Sequence, residues 1–266
     1  IAQTEVGRFG YANNPNLTTL TLKEGVTTLE YRSFYRCENL ENITFPKSLE
    51  KIDAASFDET KWMEKQPDGP VYANSILINY KGDPENVAIA DGTKYIESTA
   101  FDAKKNLTSV VIPDSVTTIR TAAFVNCSKL ERIVIPNTVT TIEKQAMGYS
   151  GMYAGGLDGI WNATPDYNLV IAGIKGSAAE KYAKENGFTF EAIIPMTGIE
   201  LDKVTDTLNK GEEVQLTATC KPEDTTEASH ISWASSNDNV ATVDQDGKVT
   251  AVGVGTANIT ASAGGY

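Results

Sequence analysis

Residues 110–119 read VVIPDSVTTI and residues 133–142 read IVIPNTVTTI. Two near-identical decapeptides 23 positions apart mark a structural unit that recurs along the chain, because a catalytic centre has little use for a second copy of itself. Working outward, the same spacing places Leu17, Leu20, Leu22, Val26, Leu29, Phe34 and Cys37 in one unit and Leu40, Ile43, Phe45, Leu49, Ile52 and Phe57 in the next. A third unit lacks its first leucine and carries Val87, Ile89, Ile96 and Phe101. The fourth has Leu107, Val110, Ile112, Val116, Ile119, Phe124 and Cys127, and the fifth Leu130, Ile133, Ile135, Val139, Ile142 and Met147.

Each part of the unit has a physical reason. The I-x-I pair alternates in and out, as a short strand does. Pro46, Pro113 and Pro136 follow it and end the strand, because proline has no N–H for the ladder. The later apolar positions turn the returning arm back into the same interior. One unit cannot close a core, whereas stacked units share one. Cys37 and Cys127 occupy the same repeat position about four coils apart. At ~4.8 Å per stacked strand they stand ~19 Å from one another, beyond the ~7 Å reach of a disulfide, so both are expected as buried free thiols.

The segments IPDSVTTIRTAAFVNCSKL and IPNTVTTIEKQAM resemble the leucine-rich repeats of the BspA type, a bacterial surface-protein family, and the resemblance extends over residues 14–195. It implies a mainly β chain: a solenoid of 23-residue coils over residues 1–195, with an irregular insertion and a C-terminal helical cap. The insertion falls at 58–86, since Ile43 and Val87 stand 44 residues apart, two short of two periods. Within it Val71-Tyr72 and Ile76–Tyr80 are expected to pair as a hairpin across Ala-Asn-Ser. After the fifth unit, Ser177 and Glu180 read as a capping box and Gly187 as a C-terminal cap. The helix between them, at about 178–186, sets Ala179, Tyr182 and Ala183 on one side to cover the last coil.

From residue 196 the vocabulary changes to short alternating runs, Val214–Ala218, Ile231–Trp233 and Ala257–Ala261, separated by turns, which suggests a β-sandwich. The passage ISWASSNDNVATVDQDGKVTAVGVGTANITA resembles the bacterial immunoglobulin-like domain of group 2, over residues 196–266. Members usually carry one more strand than this sequence reaches, and the expectation is either an unpaired part of the sheet or a missing last strand. This block holds a net charge of −7 of the chain's −12 and is expected to act as a soluble spacer.

Charge narrows the function classes. At −12, with no basic run, the chain repels nucleic acid and anionic lipid alike. No apolar stretch approaches the ~20 residues of a membrane span. The start at Ile1 suggests a segment of a longer protein. His230 is the one histidine, at the mouth of a strand, and is expected to be a strand-edge residue rather than a catalytic base. Asp244-Gln245-Asp246-Gly247 offers either a hairpin turn or, with help from Asn237, Asp238 and Asn239, a weak cation site; the turn is favoured, because a helix–loop–helix calcium loop wants an oxygen ligand where Lys248 stands. Cys220 shares parity with Val214, Leu216 and Ala218 and is expected to face the sandwich core. The glycines at 155–159 lack the lysine of a phosphate loop. No cofactor, metal or catalytic constellation is expected.

What remains is the outward side of the strand layer. By the in–out rule it presents Thr19, Thr21, Asn42, Thr44, Ser109, Val111, Arg132 and Val134. The expected function is a non-catalytic bacterial surface or secreted protein whose repeats bind a protein or extracellular-matrix ligand, with the immunoglobulin-like block as a spacer. Two alternatives stand beside it: an accessory region of a larger exported peptidase or glycan hydrolase, and a carbohydrate-binding module.

Overall fold

Every regular unit makes one coil with two short strands, and equivalent strands of neighbouring coils lie parallel and in register. The computed structural model describes residues 3–153, 160–226 and 231–263. The chain divides into two units, Ile1–Ala192 and Ile193–Tyr266.

In the first unit the first strand of each coil builds one layer. Thr19–Thr21 pairs with Asn42–Thr44, setting Leu20 opposite Ile43, and Asn86–Ala88 pairs with Ser109–Val111. Arg132–Val134 pairs with Val170–Ile174, setting Ile133 opposite Ile171. The second strands build another layer: Glu5–Val6, Thr28–Leu29 and Lys51–Ile52 form one sheet. Ile76–Lys81, Tyr95–Ile96, Thr118–Ile119 and Thr141–Ile142 belong to the next. The inward alternate positions are buried, with Ile112 at 7% and Ile135 at 2% exposure in one core cluster.

In five coils the turn after the second strand carries two non-glycine residues with left-handed backbone four positions apart: Phe9 and Asn13, Arg32 and Arg36, Ala55 and Glu59, Thr99 and Ala103, Ala122 and Asn126. That conformation costs an L-residue roughly 1–2 kcal/mol, and the inter-coil ladder offsets it. Arg32, Phe34 and Arg36 donate their N–H groups to the Ala54, Ser56 and Asp58 carbonyls at 3.0–3.3 Å. The phenylalanine of each later turn points inward and stacks on its neighbours, as in Tyr11–Phe34–Phe57 and Tyr80–Phe101–Phe124.

The insertion interrupts this order. Gly69–Ala73 and Ile76–Lys81 form an antiparallel hairpin around Asn74, whose φ is 54°. The helix Lys61–Glu64 follows the second coil, with Trp62 packed on Phe45 and Phe57. The core separates into two clusters here, one containing Ile76 and the earlier coils, the other Leu77 and the later ones.

After the fifth coil comes a further strand of the first layer, Val170–Ile174, which the sequence pattern had not revealed. The helix Ala178–Asn186 buries Ala179, Tyr182 and Ala183, and Gly187 closes it at φ 76°. Tyr182 fixes it to the fifth coil: its hydroxyl donates to the Met147 carbonyl at 2.7 Å and accepts from the Met147 N–H at 3.1 Å. The expected capping box is not made: Glu180 reaches past the N-cap residue to the N–H before it, and the Ser177 N–H bonds the Ile174 carbonyl instead. Glu180 Oε2 accepts the Gly176 N–H, and Ser177 Oγ makes no cap bond and is buried without a partner among the described residues.

In the second unit Gly198–Leu201 pairs with Ala218–Lys221, and Lys248–Ala251 lies between Glu213–Gln215 and Ala241–Val243. Ser232–Ser235 pairs with Ile259–Ser262, and every pairing is antiparallel. Leu216 and Val249 are buried between them.

Candidate functional site

The strand-face residues all point outward. Thr19 and Thr21 flank buried Leu20, Ser109 and Val111 flank buried Val110, and Arg132 and Val134 flank buried Ile133; Asn42 and Thr44 flank half-buried Ile43. Asn86 and Ala88 extend the row in the third unit, facing Ser109 and Val111 across the ladder. The alternation around Val87 was the signal for them. Val111 is 61% exposed and Val134 37%; with Ala88 they are the apolar members of a mostly polar face.

The face is not one continuous sheet. Its strands fall into three hydrogen-bonded groups: the first two coils, the next two, and the last group, in which Thr189–Ile193 also joins. Arg132 is engaged within that last group: its guanidinium grips Glu191 at 2.7 and 3.1 Å, which holds the Glu191 carboxyl below its ordinary range.

A second polar array lies one residue beyond the second strands, where Glu30, Asp53, Glu97, Arg120 and Glu143 hold equivalent positions. Glu97 is fully buried. Its Oε1 accepts from Arg120 Nε and from the Ile52 N–H, each at 3.3 Å, while Oε2 has no partner among the described residues. Arg120 also donates to Glu143 at 2.9 Å and to the Glu50 carbonyl at 3.2 Å. Burial pushes the Glu97 carboxyl up to about 7 against the pull of Arg120. These two side chains join coils after the insertion to the edge strand before it.

The thiols have structural partners. Cys37 Sγ donates to the Tyr11 carbonyl and Cys127 Sγ to the Phe101 carbonyl, each at 3.1 Å, which explains a cysteine at that repeat position. Cys37 is buried as expected, but Cys127 is half-buried, and so is Cys220. Burial raises both repeat thiols, Cys127 to about 12. Asp244 serves the hairpin: its Oδ1 accepts the N–H groups of Asp246 and Lys248 at 2.9 Å, and Gly247 turns at φ 81°. His230 and the glycines at 155–159 lie outside the described residues.

Two family models match the chain. The BspA type leucine rich repeat region matches in six copies over residues 4–66 and 79–152, and the bacterial Ig-like domain (group 2) matches residues 195–265. A lacto-N-biosidase of Bifidobacterium bifidum is 53% identical over 55 residues, which is 21% of this chain and 5% of that protein. An uncharacterized protein of Clostridium acetobutylicum is 37% identical over 103 residues, 39% of this chain and 10% of that one. A minor capsid protein of Enterobacteria phage T3 is 39% identical over 97 residues, 36% of this chain and 21% of that one. The matched segments thus span 5–21% of these relatives. Among solved structures, a leucine-rich repeat protein from Bacteroides ovatus aligns at 22% identity and TM-score 0.30, over 66% of this chain and 50% of its own. A leucine rich cell surface protein from Faecalibacterium prausnitzii aligns at 18% identity and TM-score 0.24, over 48% and 59%.

Proposed function

The chain belongs to the BspA-type leucine-rich repeat family, and from that premise we propose that it is a surface or secreted binding protein of a bacterium, with residues 1–195 as the binding platform and residues 196–266 as an immunoglobulin-like spacer. Both of its domain types are non-catalytic ones typical of bacterial surface proteins. Leucine-rich repeat proteins generally mediate protein binding, and no helix among the described residues is long and apolar enough to cross a membrane. The platform's ligand is a protein or matrix component, and it docks on the outward strand face.

The observation that carries this reading is the exposed pair Val111 and Val134, at 61% and 37%, bordered by Ser109 and Arg132. Val111 keeps most of its side chain in solvent, and both sit on strands whose neighbouring outward positions are polar. The test uses the full chain and its Val111→Arg/Val134→Arg form against a panel of purified matrix proteins by biolayer interferometry. Saturable binding to at least one, weakened tenfold or more in the double variant at unchanged melting temperature, supports the platform. No saturable partner, or equal binding by both forms, overturns it.

A second reading has its own support. The segment shared with the lacto-N-biosidase is a small part of that protein, as an accessory region of a larger exported enzyme would be. A reading frame that continues into a catalytic domain favours this reading; one that continues into a wall anchor without such a domain favours the first.

A further inference from the structure

The repeat ladder has one open rung. From Leu29 to Ile52, from Ile96 to Ile119 and from Ile119 to Ile142 the period is 23 residues, but from Leu77 to Ile96 it is only 19. Four residues are missing from the stretch that should form the turn of that coil. The chain runs straight instead, as the strand Ile76–Lys81 held by its hairpin partner. Tyr80 still reaches the aromatic stack and donates its N–H to the Ala100 carbonyl at 2.9 Å. On the other side, nothing replaces the absent turn. The donors of the second coil that correspond to Arg32, Phe34 and Arg36 are Ala55, Phe57 and Glu59, and their N–H groups meet no acceptor among the described residues.

A cavity of about 400 Å³ opens at this place, lined on one side by the turn Ala54–Asp58 and on the other by Ile78, Asn79, Thr99 and Asp102. Three aspartates line it, and two are engaged: Asp53 with Lys51 at 3.9 Å and the Ala54 N–H, and Asp102 with the Asn126 amide at 2.9 Å. Asp58 is half-buried and makes no ion pair or side-chain hydrogen bond among the described residues, and burial raises its carboxyl above the ordinary range.

We propose that this slot is a peptide-docking site, in which an extended segment of a partner protein carrying a lysine or arginine inserts as the missing turn. The row of backbone donors asks for carbonyl oxygens, and the Asp58 carboxylate asks for a cation. A simple anion answers only the first demand and is repelled by the second, and a metal ion answers only the second. A peptide with a basic side chain supplies both, in the manner of backbone addition at an open edge. The site is separate from the outward strand face, so failure of one leaves the other standing.

The test is an amide-resolved nuclear magnetic resonance titration of the full chain with two capped pentapeptides, Ac-Gly-Gly-Arg-Gly-Gly-NH2 and Ac-Gly-Gly-Glu-Gly-Gly-NH2. The arginyl peptide is expected to shift the Ala55, Phe57 and Glu59 amide protons downfield in a saturable way, and the glutamyl peptide to leave them in place. Asp58→Lys is expected to weaken arginyl binding at least tenfold, and Asp58→Asn by less. The same spectra report whether each variant keeps its fold. Unmoved amides at millimolar arginyl peptide, equal shifts with both peptides, or unchanged affinity in a folded Asp58→Lys would overturn the proposal.

Discussion

Substituting Glu97 tests the balance of forces at the interruption. The carboxyl is fully buried and held at about 7, against an ordinary value of 4.5, so ionising it in the folded protein costs about 3 kcal/mol more than in the unfolded chain. Desolvation is the main cause, and Asp53 adds repulsion. Arg120 opposes both, but it divides its attraction between Glu97 and Glu143. The folded state holds this proton more tightly, so the contribution of Glu97 is complete below about pH 4.5 and is lost as the pH rises through about 7. Glu97→Gln keeps an acceptor for the Ile52 N–H and cannot ionise. Near pH 4.5 the two forms should agree within about 1 kcal/mol, and by pH 8 the variant should be the more stable by about 1–3 kcal/mol, the upper figure reduced by the lost Arg120 pairing. Urea unfolding from pH 4.5 to 8, in a Trp233→Phe background so that fluorescence reports the repeat unit, should show the midpoints separating by about 1 M. Parallel curves across that range, or a variant less stable at pH 8 by 3 kcal/mol or more, would show that ionised Glu97 is a net stabilising partner and that the desolvation argument is wrong.

Phe101 is fully buried and stacked on Phe124 at 4.8 Å; Phe101→Ala should cost about 3–5 kcal/mol and lower the melting temperature by roughly 10 °C, followed by circular dichroism. A loss below about 1 kcal/mol would mean that the aromatic stack does not hold the coils. Cys37 and Cys127, raised by burial and bonded to carbonyls, should resist iodoacetamide at pH 8 until the protein is denatured, as read by peptide mass spectrometry; rapid native labelling at Cys37 would contradict its burial. At Gly247, φ is 81° and an added Cβ would stand 2.7 Å from both the Leu216 carbonyl and the Trp233 ring, so Gly247→Ala should destabilise the immunoglobulin-like unit by about 1–3 kcal/mol in a Trp233 fluorescence melt.

The regular coils were legible because the same interior is written repeatedly: a reader who misplaces Leu20 or Leu29 is corrected by Val110 and Ile119. The hairpin in the insertion and the helix at Ala178–Asn186 were legible too, since turn residues and spacing announce both. The strand Val170–Ile174 was not, because residues 149–165, which include the hairpin strands Tyr149–Tyr153 and Ile160–Pro165, separate it from its predecessor and remove the period that identifies a coil. The capping box failed at Ser177, since burial of its hydroxyl depends on packing that no local pattern records. The charged array of Glu30, Asp53, Glu97, Arg120 and Glu143 was visible as a column in the aligned units. Its meaning was not, because the partners of Glu97 come from a coil 45 residues earlier as well as from the next one.

The open turn and the buried carboxylate have one origin. Interrupting a stack of parallel coils exposes two kinds of backbone edge, one along the strands and one along the turns. At the strand edge, Glu97 and Arg120 arrive from later coils and satisfy the Ile52 N–H and the Glu50 carbonyl. Side chains can do this because each reaches a single backbone group there, the acid a donor and the base an acceptor. At the turn edge the open groups are three donors in a row, at Ala55, Phe57 and Glu59. Matching those takes a run of carbonyls, which short side chains cannot supply in that geometry but another stretch of backbone can. The shortened period thus closes one edge with a charged pair whose burial is costly and leaves the other in a form suited to a peptide.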